Sequence, residues 1–215
     1  MSGIARWAPV SGILYVVLWV ITIFLVEGDT GDSDAEIVAW YADSGNRNKQ
    51  IAGFLIVLAA SLSFIWFLSV LRDRMVEAAG TGAKTAVAFG AGLVAVTLWT
   101  AASAVWASLS FTVDDSDEFV LDPNMDRLFG LLGYALWFGG TTIALLVVLC
   151  VGLVGLRGRL IPRWLAWVSF VVAATMLVSF FFIPILIWFV WVLVVSLVWL
   201  FWKPAPEAAP AAPAG

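Results

Sequence analysis

The sequence predicts an all-α fold: a polytopic transmembrane helical bundle of six spans, N-in/C-in, with a short amphipathic helix in the first outer loop. Three observations predict it. Hydrophobic residues make up 63 % of the chain and charged residues 12 %, about half the charged share of a soluble domain. The runs Val10–Val26, Ile51–Leu71, Thr85–Phe111, Leu128–Leu156 and Trp164–Trp202 contain no Asp, Glu, Lys or Arg, and about 20 apolar helical residues suffice to cross a hydrocarbon core. Finally, with the N-terminus inside, Arg6, Arg72, Arg74, Lys84, Arg157, Arg159, Arg163 and Lys203 fall on the cytoplasmic side, leaving Arg47, Lys49 and Arg127 outside, as the positive-inside rule requires.

The first span, 10–26, has the length of a signal-peptide core. Leu25-Val26-Glu27-Gly28 offers no small-x-small cleavage site, so this segment is expected to remain as a span. The acidic stretch that follows contains Ser33 and Glu36 at capping-box spacing, and Gly45 is a candidate stop, which predicts a helix over 34–44. At 100° per residue Ile37, Trp40 and Tyr41 share one face and Glu36 and Asp43 the other. Such a helix is expected to lie along the outer membrane boundary or to cap the bundle.

The second and third spans are placed at 51–71 and 85–111. The third is rich in small residues at spacings of four, among them Ala88 and Gly92, Thr100 and Ala104, and Ala104 and Ser108. The fourth span, 128–156, matches it with Gly139, and with Gly140 and Ala144. These residues form a candidate helix-packing interface, within the bundle or in a homodimer seam. Asp122-Pro123 is a cap followed by a first-turn proline, so the fourth helix is expected to begin at Pro123. Gly139-Gly140 is a candidate kink.

The last run would reach almost 60 Å as one helix at about 1.5 Å per residue. Pro184 near its midpoint predicts a break, giving spans 164–183 and 185–202; a single kinked helix is the alternative. Residues 1–202 then form one transmembrane domain. Residues 203–215, rich in Pro and Ala, read as a disordered cytoplasmic tail.

The chemistry of the chain is defined largely by what it lacks. There is no histidine, which excludes His-ligated haem, the common His-containing zinc sites and Ser-His-Asp catalysis. No carboxylate falls within a predicted span, which argues against an intramembrane aspartyl protease and weakens proton- or sodium-coupled transport. Asp29, Asp32, Asp34 and Glu36, or Asp114, Asp115, Asp117 and Glu118, offer oxygen ligands, but neither set has the EF-hand spacing, and solvated loop charge is the simpler reading. Cys150 reads as a small buried residue. Most of the thirteen tryptophans fall near predicted span ends, as an aromatic belt: Trp7, Trp66, Trp164, Trp199 and Trp202 on one side, Trp40, Trp106 and Trp188 on the other. Trp19 and Trp99 fall nearer the midplane, as packing or as the lining of a lipophilic cavity.

The runs Val38-Ala-Trp-Tyr41, Gln50-Ile-Ala-Gly-Phe54, Trp66-Phe-Leu-Ser-Val-Leu-Arg72 and Gly155-Leu-Arg-Gly-Arg-Leu-Ile-Pro-Arg-Trp-Leu-Ala-Trp167 resemble a broad group of uncharacterised bacterial, especially actinobacterial, integral membrane proteins. That resemblance implies a six-helix bundle in the bacterial cytoplasmic (inner) membrane and supplies no activity. The expected function is a non-enzymatic accessory, assembly or lipid-interacting component with no cofactor and no nucleic-acid partner. The expected partners are the lipid bilayer and a membrane-protein partner or second copy. Two alternatives are weighed. One is a transporter or channel-like protein for a small neutral or lipophilic solute, lined by Thr97, Thr100, Thr141 and Thr142. The other is an enzyme at the outer loops, which requires several of Asp114, Asp115, Asp117 and Asp126 to converge with Glu36 or Asp43.

Overall fold

A computed structural model describes residues 9–26, 30–116, 118–156, 160–178 and 183–201. Among the described residues there are seven helices and no strand: α1 Val10–Leu25, α2 Asp34–Ala42, α3 Ser44–Ala79, α4 Ala83–Asp115, α5 Pro123–Gly155, α6 Arg163–Met176 and α7 Ile183–Phe201. Four of them, α3, α4, α5 and α7, are long and apolar enough to cross a membrane; α1 and α6 are shorter apolar helices of 16 and 14 residues.

Local chemistry sets the helix boundaries. The capping box forms as expected: the Glu36 amide donates to the Ser33 hydroxyl at 3.3 Å and the Ser33 amide donates to the Glu36 carboxylate at 3.0 Å. The helix does not run to Ser44, however. It stops at Ala42, because Asp43 accepts from the Gly45 amide at 2.7 Å and caps α3. Gly45 therefore lies in the first turn of α3 and does not act as the expected stop. Asp122 caps α5 through the Asn124 amide at 2.9 Å with Pro123 in the first turn, so α5 starts where the sequence places it. It then continues through Gly139-Gly140 as one helix.

The Pro184 region departs from the expected boundaries. Proline is tolerated in a first helical turn, where its missing N–H has no intrahelical acceptor to lose, and Pro184 is the second residue of α7. The interruption precedes it: α6 ends at Met176, not at Ile183, and Leu177 and Val178 form a turn. Trp191 donates to the Ser169 hydroxyl at 2.9 Å and Trp199 to the Leu160 carbonyl at 3.1 Å. Leu160 lies just before α6, and as the chain advances from Leu160 to Ser169 its partner moves back from Trp199 to Trp191, so α6 and α7 run antiparallel.

The same reasoning orders the rest. Ser61 meets Thr100 at 2.7 Å and Arg47 meets Asp114 at 2.7 Å across α3 and α4. Trp99 donates to Thr141 at 3.2 Å and Trp106 to the Gly130 carbonyl at 3.3 Å across α4 and α5. The most extensive contacts are α4 with α5, followed by α3 with α4, α1 with α3 and α5 with α6; α7 packs on α1 and α6.

The core of this bundle is aromatic. Trp99 lies with its ring 5.6 Å from Trp188, 6.0 Å from Phe64 and 6.3 Å from Trp137, while Tyr15 lies 4.6 Å from Phe64. Two of the buried indoles find partners: Trp188 donates to the Tyr15 hydroxyl at 3.1 Å and Trp99 to the Thr141 hydroxyl at 3.2 Å. The outer surface is apolar as well. Leu14, Phe24, Leu55, Leu62, Trp66, Leu131, Trp167 and Val171 are all exposed, a pattern that water-soluble monomers rarely tolerate. Buried polar contacts between helices and an apolar exterior together mark this as a helical bundle of membrane-protein type.

Candidate functional site

Residues from α1, α3, α4 and α5 line a half-open cavity of about 300 Å³. Trp19, Phe54, Trp106 and Trp137 supply its rings, and Thr22, Gln50, Ser103 and Tyr134 its polar groups. The walls are held by packing: Trp19 and Trp137 meet edge to face at 4.9 Å, and Trp106 and Trp137 lie 5.8 Å apart. Thr22 donates its hydroxyl back to the Leu18 carbonyl at 3.0 Å. Gln50 accepts from the Ser110 hydroxyl. Ser103 is 8 % exposed, lines the cavity, and forms no side-chain hydrogen bond to another described residue, leaving its hydroxyl to the cavity space. No Asp, Glu, Lys or Arg lines the cavity, so a charged ligand would find no compensating group there.

The end of the bundle above this cavity is closed by α2. Ile37 and Tyr41 are 1 % and 2 % exposed and pack with Leu109, flanked by Trp40, Phe119, Leu121 and Phe129. This settles where the aromatic face of α2 points: Ile37 and Tyr41 are turned into the protein and cannot also lie on a membrane surface, and Trp40 is half-buried. The Tyr41 hydroxyl donates to Asp126 Oδ1 at 2.8 Å and Thr30 donates to Asp126 Oδ2 at 3.1 Å. Arg127 bonds to Asp34 at 2.7 Å and to the Asp32 carbonyl at 3.1 Å, while Arg47 reaches Asp114 and the Tyr41 carbonyl. Burial, with the hydrogen bond and charge of Asp126 added to it, holds the Tyr41 hydroxyl above the usual tyrosine range. The Ser33 hydrogen bonds lower Glu36 below the usual carboxylate range.

The raised Tyr41 gives a pH dependence of known sign. Its protonated form is favoured in the folded protein, so the stabilisation is complete below the ordinary tyrosine pKa of about 10 and is lost as pH rises beyond it. Tyr41→Phe is expected to lower stability by about 1.5–3 kcal/mol at neutral pH, the range for a hydrogen bond to a charged group. It should also reduce the alkaline loss. Thermal melts of both proteins from pH 7 to 11 check this, and parallel curves would refute it.

The carboxylates do not gather. Among the described residues no group of three Asp, Glu or Cys side chains is placed to hold a metal; Asp34, Asp114 and Asp126 are each engaged with Arg127, Arg47 and Tyr41 respectively. Asp29 and Asp117 lie outside the described residues. The threonines proposed for a permeation path also part company. Thr97 and Thr100 line a groove of about 600 Å³ between α3 and α4, whereas Thr141 is buried, accepting from Trp99 and donating to the Trp137 carbonyl at 3.0 Å. Thr142 lines neither this groove nor the aromatic cavity.

The small-residue positions divide between the two neighbours of α4. A Cβ at Gly92 would lie 2.5 Å from Leu68 of α3, and one at Gly140 would lie 3.0 Å from the Trp99 ring and 3.1 Å from the Ala95 carbonyl of α4. Ala88 and Ala144 are buried, while Ala104 and Ser108 are half-buried, with Ala104 lining the α3–α4 groove and Ser108 donating to the Val105 carbonyl at 2.6 Å. Gly139 is looser, with Leu98 at 3.7 Å from its virtual Cβ. The tryptophans divide too. Trp66, Trp164 and Trp167 face outward as belt residues do, but Trp188 and Trp199 are buried and belong to the core. Trp19 and Trp99 are buried too, Trp19 against the cavity. Trp7 and Trp202 lie outside the described residues, as do Arg6, Glu27, Arg157, Arg159 and residues 203–215.

What the geometry defines is a class: an α-helical bundle with four helices able to span a membrane, a buried aromatic core and a side cavity without charge. Comparison with protein-family models, with curated proteins and with solved structures finds no match to this chain.

Proposed function

We propose that the protein is a six-span, N-in/C-in component of the bacterial cytoplasmic membrane that holds a neutral lipophilic molecule and performs no catalysis. The cavity between α1, α3, α4 and α5 carries this reading. It is lined by rings and uncharged polar groups, and its volume admits roughly ten groups of water size. That suits a ring or one chain segment better than a whole two-chain phospholipid. The unpartnered Ser103 hydroxyl can meet one polar atom of such a molecule.

The six-span topology is supported by the antiparallel order of α1 and α3 to α7. At about 1.5 Å per residue α1 and α6 reach roughly 24 and 21 Å, so each relies on flanking residues to complete a crossing. The orientation is supported by the grouping of Arg72, Arg74, Lys84 and Arg163 at one end of the bundle, opposite Arg47, Lys49 and Arg127.

Purification in native nanodiscs, with mass determination of everything retained, tests the function. The expected result is one neutral lipophile enriched over the bulk membrane, reduced at least tenfold in Ser103→Phe while the elution profile is unchanged. A stoichiometric protein partner with no enriched small molecule would instead assign the protein to an assembly role and overturn the lipid reading.

A further inference from the structure

The turn joining α3 to α4 has the sequence Gly80-Thr-Gly-Ala-Lys-Thr85 and bounds a second cavity, of about 240 Å³, lined by Gly80, Gly82, Lys84 and Thr85 together with Val154 of α5. Gly80 has φ 77°, which bends the chain out of α3, and the N-cap of α4 is Gly82, which supplies no side-chain acceptor. The first helical bond at this end runs from the Ala86 amide to the Gly82 carbonyl at 3.1 Å. The amides of Ala83, Lys84 and Thr85 therefore have no intrahelical acceptor, and a helix N-terminus in this state attracts negative charge.

The observation that points to a ligand is Thr85. The residue is 5 % exposed and lines the cavity, and its hydroxyl, which the cavity space reaches, forms no hydrogen bond to another described residue. Lys84 adds a cation and no carboxylate lines the cavity. Glu77, one turn earlier, is exposed and interacts with Arg74. Helix-end amides without intrahelical acceptors, a hydroxyl and an ammonium on residues lining one cavity are the groups a phosphate oxyanion requires.

We propose that this turn binds a phosphate group, with the amides of Lys84 and Thr85 and the Thr85 hydroxyl taking its oxygens and the Lys84 ammonium balancing its charge. The cavity admits roughly eight groups of water size, enough for a phosphate with a small substituent and too few for a nucleoside triphosphate. Its source is a lipid headgroup or a free phosphate compound. The site lies about 28 Å along α4 from Ser103, at 1.5 Å per residue, so it stands or falls independently of the lipophile cavity.

The test uses the full chain in detergent at constant ionic strength, which removes general screening, and follows thermal stability against inorganic phosphate, phosphatidylglycerol or phosphatidylcholine. A saturable rise in melting temperature is expected with inorganic phosphate, with phosphatidylglycerol, or with both. Inorganic phosphate alone identifies a free phosphate, and phosphatidylglycerol alone a headgroup. Lys84→Gln and Thr85→Val should each weaken the apparent affinity at least fivefold. Lys84 is exposed, so Lys84→Gln leaves the core intact and decides the matter should Thr85→Val fold poorly. No saturable response to either anion, an equal response to phosphatidylcholine, or a response unchanged in Lys84→Gln overturns the proposal.

Discussion

Gly12→Leu is expected to prevent α1 from docking, at a cost of about 3 kcal/mol or more, the upper part of the range for overpacking. A Cβ at this position would lie 2.2 Å from Ser196 Oγ of α7 and 2.7 Å from the Phe67 ring of α3. Three helices therefore meet where only a hydrogen fits. Neither obstacle can easily retreat, since Ser196 and Phe67 are both fully buried. Among apolar helices in lipid, association depends on close packing more than on transfer from water, so loss of this approach removes much of what holds α1. Ser196 Oγ is also the buried side-chain polar atom without a partner among the described residues. Gly12→Ala combined with Ser196→Gly should accordingly recover part of the loss, which a double-mutant cycle measures. A Gly12→Leu protein that elutes and melts as the wild type does would refute the packing argument.

The second large effect is a contrast between two glycines in the candidate packing interface. Gly92→Leu is expected to destabilise the α3–α4 contact by about 2–3 kcal/mol, because its side chain would enter the space of Leu68, which is fully buried and has nowhere to move. Gly139→Leu should leave the fold intact, since its virtual Cβ meets only Leu98 at an ordinary 3.7 Å. Melting temperature and oligomeric mass of both variants separate folding from assembly. If Gly139→Leu changes the mass or the retained partner while the melting temperature holds, the Gly139 face is an assembly seam; equal destabilisation by both would contradict the geometry.

Much of the architecture was legible because membrane helices are long, charge-free and bounded by local signals. Ser33 and Glu36, and Asp122 with Pro123, act through atoms two or three residues away, and the structure realises both. Boundaries shifted where two local signals competed. Gly45 reads as a stop only if the Asp43 side chain is ignored, and of the two helices that Pro184 predicts the first ends at Met176, ahead of the expected Ile183. The phosphate-binding turn was visible as residue types, Gly80, Gly82, Lys84 and Thr85, but glycine-bearing turns between spans are common. What gives it significance is that the Thr85 hydroxyl is left without a partner, and spacing alone cannot reveal that.

The sequence by itself determined that the chain is helical, apolar and divided into antiparallel segments, because hydropathy and capping are properties of neighbouring residues. It also determined that no histidine chemistry is available. Only the tertiary structure decided which face of each helix turns inward. Trp188 and Trp66 are the same residue type near expected span ends, yet one is fully buried and the other 58 % exposed. Helix periodicity orients a segment by contrast between apolar and polar sides, and in spans that are apolar on every side that contrast is missing. Inward faces are then selected by shape, through close approaches such as Gly12 and hydrogen bonds such as Trp188 to Tyr15, which join residues distant in the chain.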